Sequence, residues 1–377
     1  MHFLFVDPLL GYGADTSARE PLGGTQSAAT HLALALARRG VGVTVANRRD
    51  SDTVEAGVEW ADLAAAQAHF SDFLASRRVS HLVFVNAANV VALRAKVGWR
   101  FAWCLWNHHW IDQPSVAPLA NAEIRGQWDA VISVSNFHYR GMAETFRLAP
   151  ERHVILRNGV GPQFEALFAD FDTFRAERLA RATTRMIYTS TPFRGLEVLV
   201  DAWEALAPPD DWCCTVLSGM SLYRTTDARF DELLARAHRP PSMVRLAPVG
   251  QAELARVCAE HDFWAYPCTW IETSCISALE AIAAGLYPLT TDLGALPETL
   301  EGFASFVVHA GPGLAGRWTE AAREQVEIRR RDPQAWLERA WERRERLLAE
   351  WTWDRRAQEW IEALGRVHPR EGEATIG

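Results

Sequence analysis

Lysine is nearly missing from this 377-residue chain: Lys96 is the only one, and arginine supplies the other positive charges. A basic excess is missing too. The formal net charge of −8 argues against a protein held on nucleic acid by phosphate contacts. No apolar run reaches the length of a membrane span, so no transmembrane segment is expected. The opening MHFLFVDPLLGYG has neither a basic n-region nor a small-residue cleavage site, so no secretory signal is expected either. Cysteine is sparse: Cys104, Cys213, Cys214, Cys258, Cys268 and Cys275 form no C-x-x-C pair. That usage fits a reducing, cytoplasmic setting. Cys258, His261, Cys268 and Cys275 can be imagined as a zinc set, but their spacing matches no zinc pattern. Buried small hydrophobes are expected instead. The chain also lacks G-x-S-x-G, H-E-x-x-H and P-loop strings, short-period repeats and low-complexity tracts.

What is present reads as two ordinary α/β domains. Hydrophobic content of 49% and charged content of 23% suit a globular chain long enough for two cores. Short apolar runs predict strands at 2–6, 41–46, 81–85, 101–106, 130–134 and 153–156, with helical stretches between them. The string RNGVG at 157–161, followed by Pro162, interrupts this alternation and predicts a linker. A second series follows, with strands at 186–189, 213–217, 244–247, 263–266 and 287–291. Two doubly wound parallel sheets are the expectation, with ligands beyond the carboxyl ends of the strands. From 317 to 364 the chain alternates Glu with Arg around an apolar stripe, which predicts amphipathic helix with a solvated charged face.

One stretch carries most of the chemistry: YPCTWIETSCISALEAIAAGLYPLTTDLGALPE, residues 266–298. It reads as strand end, loop, helix, strand and loop. Thr273 or Ser274 is expected as the N-cap and Gly285 as the stop. Glu272 then lies in the loop and Glu280 two turns inside the helix. Backbone N–H groups around Thr273, Ser274 and Cys275 would favour an anion, because they lack intrahelical acceptors and the helix dipole is positive there. One carboxylate in a loop, an anion-binding helix start and a deeper carboxylate are the parts a nucleoside diphosphate sugar needs. The E-x7-E spacing, the preceding Tyr266-Pro267 and the later Gly294–Glu298 together resemble the family 4 retaining glycosyltransferases of the GT-B fold.

That resemblance implies roles for particular residues. Glu280 would hold the ribose hydroxyls, and Glu272 would touch the donor sugar. Gly23-Gly24 resembles the family's GG loop, which faces the donor. In TSTPFRGL, residues 189–196, Arg194 fits the slot before a glycine where the family usually has lysine. The family's second basic residue is missing; Thr189, Ser190 and Thr191 offer hydroxyls, and Arg224 is a substitute on sequence grounds. Ser218-Gly219 resembles a backbone contact near the donor, and Gly250 the segment beside the base. His108 matches a family histidine beside sugar and acceptor, with His109 replacing the usual aspartate; either of the two can be the one that faces the site. Trp103, Trp106 and Trp110 could stack on a sugar, but core packing is expected.

The expectation is therefore a GT-B fold of two Rossmann-like domains facing across a cleft. The first is 1–160 joined by a terminal helix at about 352–367, the second is 161–351, and 368–377 is a disordered tail. The activity implied is transfer of a sugar from a nucleoside diphosphate sugar to a hydroxyl acceptor, with retention and with no cofactor. Glu272, His108 and Arg194 would be catalytic. Gly23, Gly24, Ser190, Arg194, Gly219, Thr273, Ser274, Cys275 and Glu280 would bind the donor. No metal is expected: Asp50-x-Asp52 and Asp170-x-Asp172 read as turn or helix-start carboxylates rather than the D-x-D of a GT-A enzyme. Another GT-B enzyme, a nucleotide-sugar epimerase or phosphorylase, or a non-catalytic GT-B binding module remain as alternatives.

Overall fold

The structure is a computed structural model that describes residues 1–98, 100–303 and 306–369. It divides into two compact units. The first comprises Met1–Asp15, Gly24–Asn158 and the chain from Trp353 onward; the second comprises Thr16–Gly23 and Gly159–Thr352. The boundary near Asn158 falls inside the RNGVG string. Residues 370–377, most of the expected disordered tail, lie outside the described residues.

The first unit holds eight strands: β1 His2–Val6, β2 Gly42–Asn47, β3 Thr53–Glu55, β4 Val58–Asp62, β5 His81–Val85, β6 Ala102–Trp106, β7 Ala130–Ser133 and β8 His153–Ile155. Their order is β3-β4-β2-β1-β5-β6-β7-β8. Every pairing is parallel except β3 with β4. The chain winds outward from β1 in both directions, so the order reverses between β1 and β5. β1, β5 and β6 are wholly apolar except for His2 and His81, as a sheet covered on both faces requires. The β3–β4 hairpin escapes the sequence pattern because its strands are short and turn tightly at Ala56-Gly57, both with positive φ.

The terminal helix Trp353–Leu364 belongs to the first unit and packs on helix Gly24–Arg38. Arg39 donates to Asp354 Oδ2 at 2.6 Å and to Gln358 Oε1 at 2.7 Å. Trp360, fully buried, meets Phe5 and Trp106 with ring centroids 5.8 and 4.9 Å away.

The second unit holds β9 Thr184–Thr189, β10 Trp212–Leu217, β11 Met243–Leu246, β12 Phe263–Ala265, β13 Tyr287–Thr291 and β14 Phe306–Val308. All are parallel in the order β11-β10-β9-β12-β13-β14, with the reversal between β9 and β12. β14 was not expected from its sequence. The long amphipathic region resolves into helices Leu314–Arg331 and Pro333–Glu350 ahead of the terminal helix, broken where Asp332 caps Pro333 and again after Glu350. Likewise the helical stretch after β4 is two helices, Leu63–Ala68 and Phe70–Ser76. Trp203, Trp264, Trp318 and Trp336 fill the core of this unit. Among the described residues no helix is long and apolar enough to cross a membrane.

Candidate active site

In the second unit the loops after β9 and β12 meet where the strand order reverses, which is where open α/β sheets bind ligands. Two glycines allow the meeting. Gly195 has φ 120°, and a Cβ there would lie 2.1 Å from the carbonyl oxygen of Pro267. Gly294, φ 64°, sits against Glu272: a Cβ would lie 2.4 Å from its carbonyl oxygen and 2.7 Å from its nitrogen. Ala295 N donates to that carbonyl at 2.7 Å. The GALPE turn thus holds the backbone of Glu272, and no larger residue fits at its glycine.

The carboxylate of Glu272 is 6% exposed and carries two donors on one oxygen. Arg194 Nη1 lies 3.0 Å from Oε1, and the Tyr266 hydroxyl donates to the same atom at 2.6 Å. Arg194 Nη2 reaches the Tyr223 hydroxyl at 3.3 Å. Its guanidinium lies 5.6 and 5.7 Å from the ring centroids of Phe193 and Trp270. Burial is the largest single influence on the arginine's pKa and lowers it, but Glu272, with smaller contributions from Tyr223, Tyr266 and Cys275, turns the net shift upward, so Arg194 is always charged. Burial raises the pKa of Tyr266 well above the usual phenol, which keeps it a donor. Tyr188 donates to Thr191 O at 2.7 Å and so ties the loop after β9 to its strand.

The helix in this stretch is Ile276–Ala283, beginning later than expected. Cys275 is its N-cap and gives no side-chain hydrogen bond, so neither Thr273 nor Ser274 caps it. The first-turn N–H groups therefore belong to Ile276 and the residues after it, while Thr273 and Ser274 stand in the preceding loop. Gly285, φ 72°, ends the helix as expected. Glu280 is 4% exposed on this helix, and Gln251 Nε2 donates to its Oε1 at 2.6 Å. Burial pushes its carboxyl up to about 7, against the smaller opposing pull of Gln251.

Ser190 and Gly219, also expected to bind the donor, lie in the same unit. Thr189 ends β9 and Ser190 follows it, but the Thr189 hydroxyl accepts from Trp264 Nε1 at 2.9 Å and so serves the core. Gly219 follows β10, with Pro248 so close that a Cβ would lie 2.9 Å from its Cδ. Arg224 is exposed with φ 53°, and its neighbour Tyr223 is the residue that reaches Arg194. Gly23 belongs to the second unit, whereas Gly24 opens helix Gly24–Arg38 of the first. Gln26, two residues on, donates to the buried Asp7 at 3.0 Å and anchors that helix start to the end of β1.

In the first unit, His108 and His109 follow β6. Burial lowers the His108 pKa well below the imidazole norm, helped by His109 and His138, so the ring is neutral. It packs on Trp106 at 4.6 Å between ring centroids. Trp103 and Trp106 are core residues, and Trp110 stacks on Phe137 at 4.5 Å. Of the imagined zinc set, His261 uses Nδ1 on Val257 O and Nε2 on Thr215 Oγ1, and all three cysteines are buried with raised pKa values. Among the described residues no cluster of metal-ligating side chains is found. Asp170 Oδ1 accepts from Thr173 N as a helix cap, and Asp52 Oδ1 accepts from Asp62 N.

Tyr266, Tyr223, Trp270 and Gln251 escaped assignment to the site from sequence. Tyr266 had the only usable signal, its place in the YP strand end. Nothing in the sequence pairs Gln251 with Glu280 or Tyr223 with Arg194.

No family model matches the sequence, and no curated protein is similar to it in sequence. Solved structures are similar in fold. A sucrose-phosphate synthase from Thermosynechococcus elongatus superposes with TM-score 0.74 at 16% identity, over 97% of this chain and 98% of that one. A glycosyltransferase from Rickettsia africae gives 0.72 at 13% identity, over 97% and 98%. HepE of Anabaena, in complex with UDP, gives 0.70 at 16% identity, over 97% and 100%. Taken with the two doubly wound sheets, these likenesses give the chain the GT-B fold.

Proposed function

We propose that this chain is a glycosyltransferase that moves a sugar from a nucleoside diphosphate sugar to an acceptor hydroxyl. The observation that carries the reading is the Arg194–Glu272–Tyr266 cluster at the β9/β12 reversal. A fixed cation beside a held carboxylate, with Glu280 buried on the following helix, suits a ligand that is anionic at one end and rich in hydroxyls at the other. Arg194 and the first-turn N–H groups of helix Ile276–Ala283 would stabilise the departing diphosphate. Glu272 would hold sugar hydroxyls and Glu280 the ribose. His108, being neutral, would orient sugar and acceptor by hydrogen bonds.

The resemblance to family 4 enzymes supports retention of anomeric configuration, with the leaving diphosphate helping to deprotonate the acceptor on the same face. Helix N-termini and an arginine can neutralise the leaving group, so we propose that no metal ion is needed. A structure similar to this chain was obtained with UDP-glucose, which places uridine donors first among those to try. The test is a thermal-shift panel of UDP, GDP, ADP and TDP with their sugars, followed by product analysis. A true donor raises the melting temperature, and the product is a glycoside with its donor configuration. An epimerised nucleotide sugar formed without acceptor would mark an epimerase instead. Failure of every nucleotide to shift the melting temperature would mark a non-catalytic module.

A further inference from the structure

Six non-glycine residues among those described have φ in the left-handed region: Ala56, Arg78, Asn86, Arg147, Ala207 and Arg224. Five have ordinary local reasons. Ala56 lies in the β3–β4 hairpin turn, and the four others lie at or just past helix ends, where such a residue closes the last turn. Asn86, with φ 50°, instead follows the carboxyl end of β5, beside the β1/β5 reversal. Strain of this kind persists only where surrounding contacts over-determine it.

The contacts of Asn86 show what holds it. Its backbone N donates to Trp106 O at 3.0 Å, at the end of the neighbouring strand β6. Its Oδ1 accepts from His108 N at 2.7 Å, and its Nδ2 lies 3.3 Å from His109 Nε2. One residue therefore grips the end of β6 and both histidines of the turn after it. The amide nitrogen can only donate, so His109 Nε2 must be the acceptor of that pair. The ring hydrogen then resides on Nδ1, which donates to Ser115 Oγ at 2.5 Å. The left-handed backbone aims the carboxamide across to β6; an extended residue would carry its side chain elsewhere.

We propose that Asn86 is a positioning residue for sugar transfer: it sets the turn that presents His108 and fixes His109 as the Nδ1–H tautomer. The proposal rests on the glycosyltransferase reading above. Asn86→Gly tests it, because glycine accepts the backbone angle and removes only the carboxamide. The expected result is a kcat at saturating donor lowered about tenfold or more, the scale of one lost hydrogen bond in the transition state. Donor affinity by calorimetry should stay within about twofold of wild type, since the lost contacts serve a turn of the first unit. The 15N signals of His109 should move from the Nδ1–H pattern toward a tautomer mixture. Asn86→Asp keeps the acceptor for His108 N–H but not the Nδ2 donor. It should recover part of the rate while His109 stays altered, and it serves if the glycine variant folds poorly. An active wild type whose Asn86→Gly variant keeps its kcat and its His109 signals overturns the role of Asn86 alone. A wild type that transfers no sugar from any donor overturns the glycosyltransferase reading and this role with it.

Discussion

The guanidinium of Arg194 lies 3.0 Å from the carboxylate of Glu272, although 78 residues separate the two in sequence. Each was expected to meet a different part of a donor. In the fold they meet each other, so the guanidinium and the carboxylate form one electrostatic unit. A ligand bearing both a diphosphate and sugar hydroxyls would redistribute that pairing.

Replacing Arg194 tests the charge. Arg194→Ala is expected to lower turnover at saturating donor by about 10²-fold or more, the scale for losing one preorganised electrostatic group. Arg194→Lys should recover much of it, although a lysine cannot hold Glu272 and Tyr223 with one planar fork. The alanine variant should also be less stable by roughly 1–3 kcal/mol, since the buried Glu272 loses its counter-charge while the arginine was 24% exposed. Steady-state kinetics and urea melts measure both. A folded alanine variant with near-normal turnover removes Arg194 from the leaving-group role.

Tyr266→Phe isolates the other donor on Glu272. The ring is wholly buried, so the change deletes one hydroxyl without opening a large cavity. Losing a hydrogen bond to a carboxylate costs about 1.5–3 kcal/mol. We expect kcat/KM to fall at least about tenfold, with the far-ultraviolet circular dichroism unchanged. Wild-type kinetics in this variant would show that Arg194 alone suffices to orient Glu272.

Glu280 carries an opposed pair of consequences. Its carboxyl titrates near 7 in the fold because burial disfavours the anion. The folded state therefore binds its proton more tightly than the unfolded chain does. The stability this confers is full below the unfolded pKa of about 4.5 and is lost as pH rises through about 7. Glu280→Gln removes that dependence. At pH 8 the variant should gain on the order of 1–3 kcal/mol over wild type in urea unfolding, and much less at pH 5. Its nucleotide affinity should nevertheless fall by roughly 1–3 kcal/mol if the carboxylate holds the ribose. Unchanged affinity by calorimetry would take Glu280 out of the site.

Metal dependence is decided by chelation. We expect sugar transfer to persist in excess EDTA. Complete loss, restored by Mn²⁺ or Mg²⁺, would overturn leaving-group stabilisation by arginine and helix N–H groups alone.

Much of the fold was legible in the sequence, because β/α alternation, apolar strand composition and glycine stops are local. The runs at 2–6, 81–85 and 287–291 became strands with those same bounds. Short elements were not legible: β3 and β14 have three residues each, too few to declare a pattern, and β4 is a short strand whose place depends on pairing with β3 across a tight turn and with β2. The start of helix Ile276–Ala283 also misled, because Thr273 and Ser274 have capping chemistry but the loop takes them elsewhere. Of the candidate site, the sequence by itself determined the residue types and their order: Arg194 before a glycine, Glu272 in a loop, Glu280 on the helix that follows, His108 after a strand. Only the tertiary structure decided which atoms meet. Parallel pairing of β9 with β12 brings Arg194 to Glu272, and Gly294 lets a later turn close on the same backbone. Burial raises the Glu280 carboxyl to about 7, and parallel pairing of β5 with β6 places Asn86 beside the two histidines. Such contacts join residues tens of positions apart through sheet register and desolvation, which no local pattern encodes.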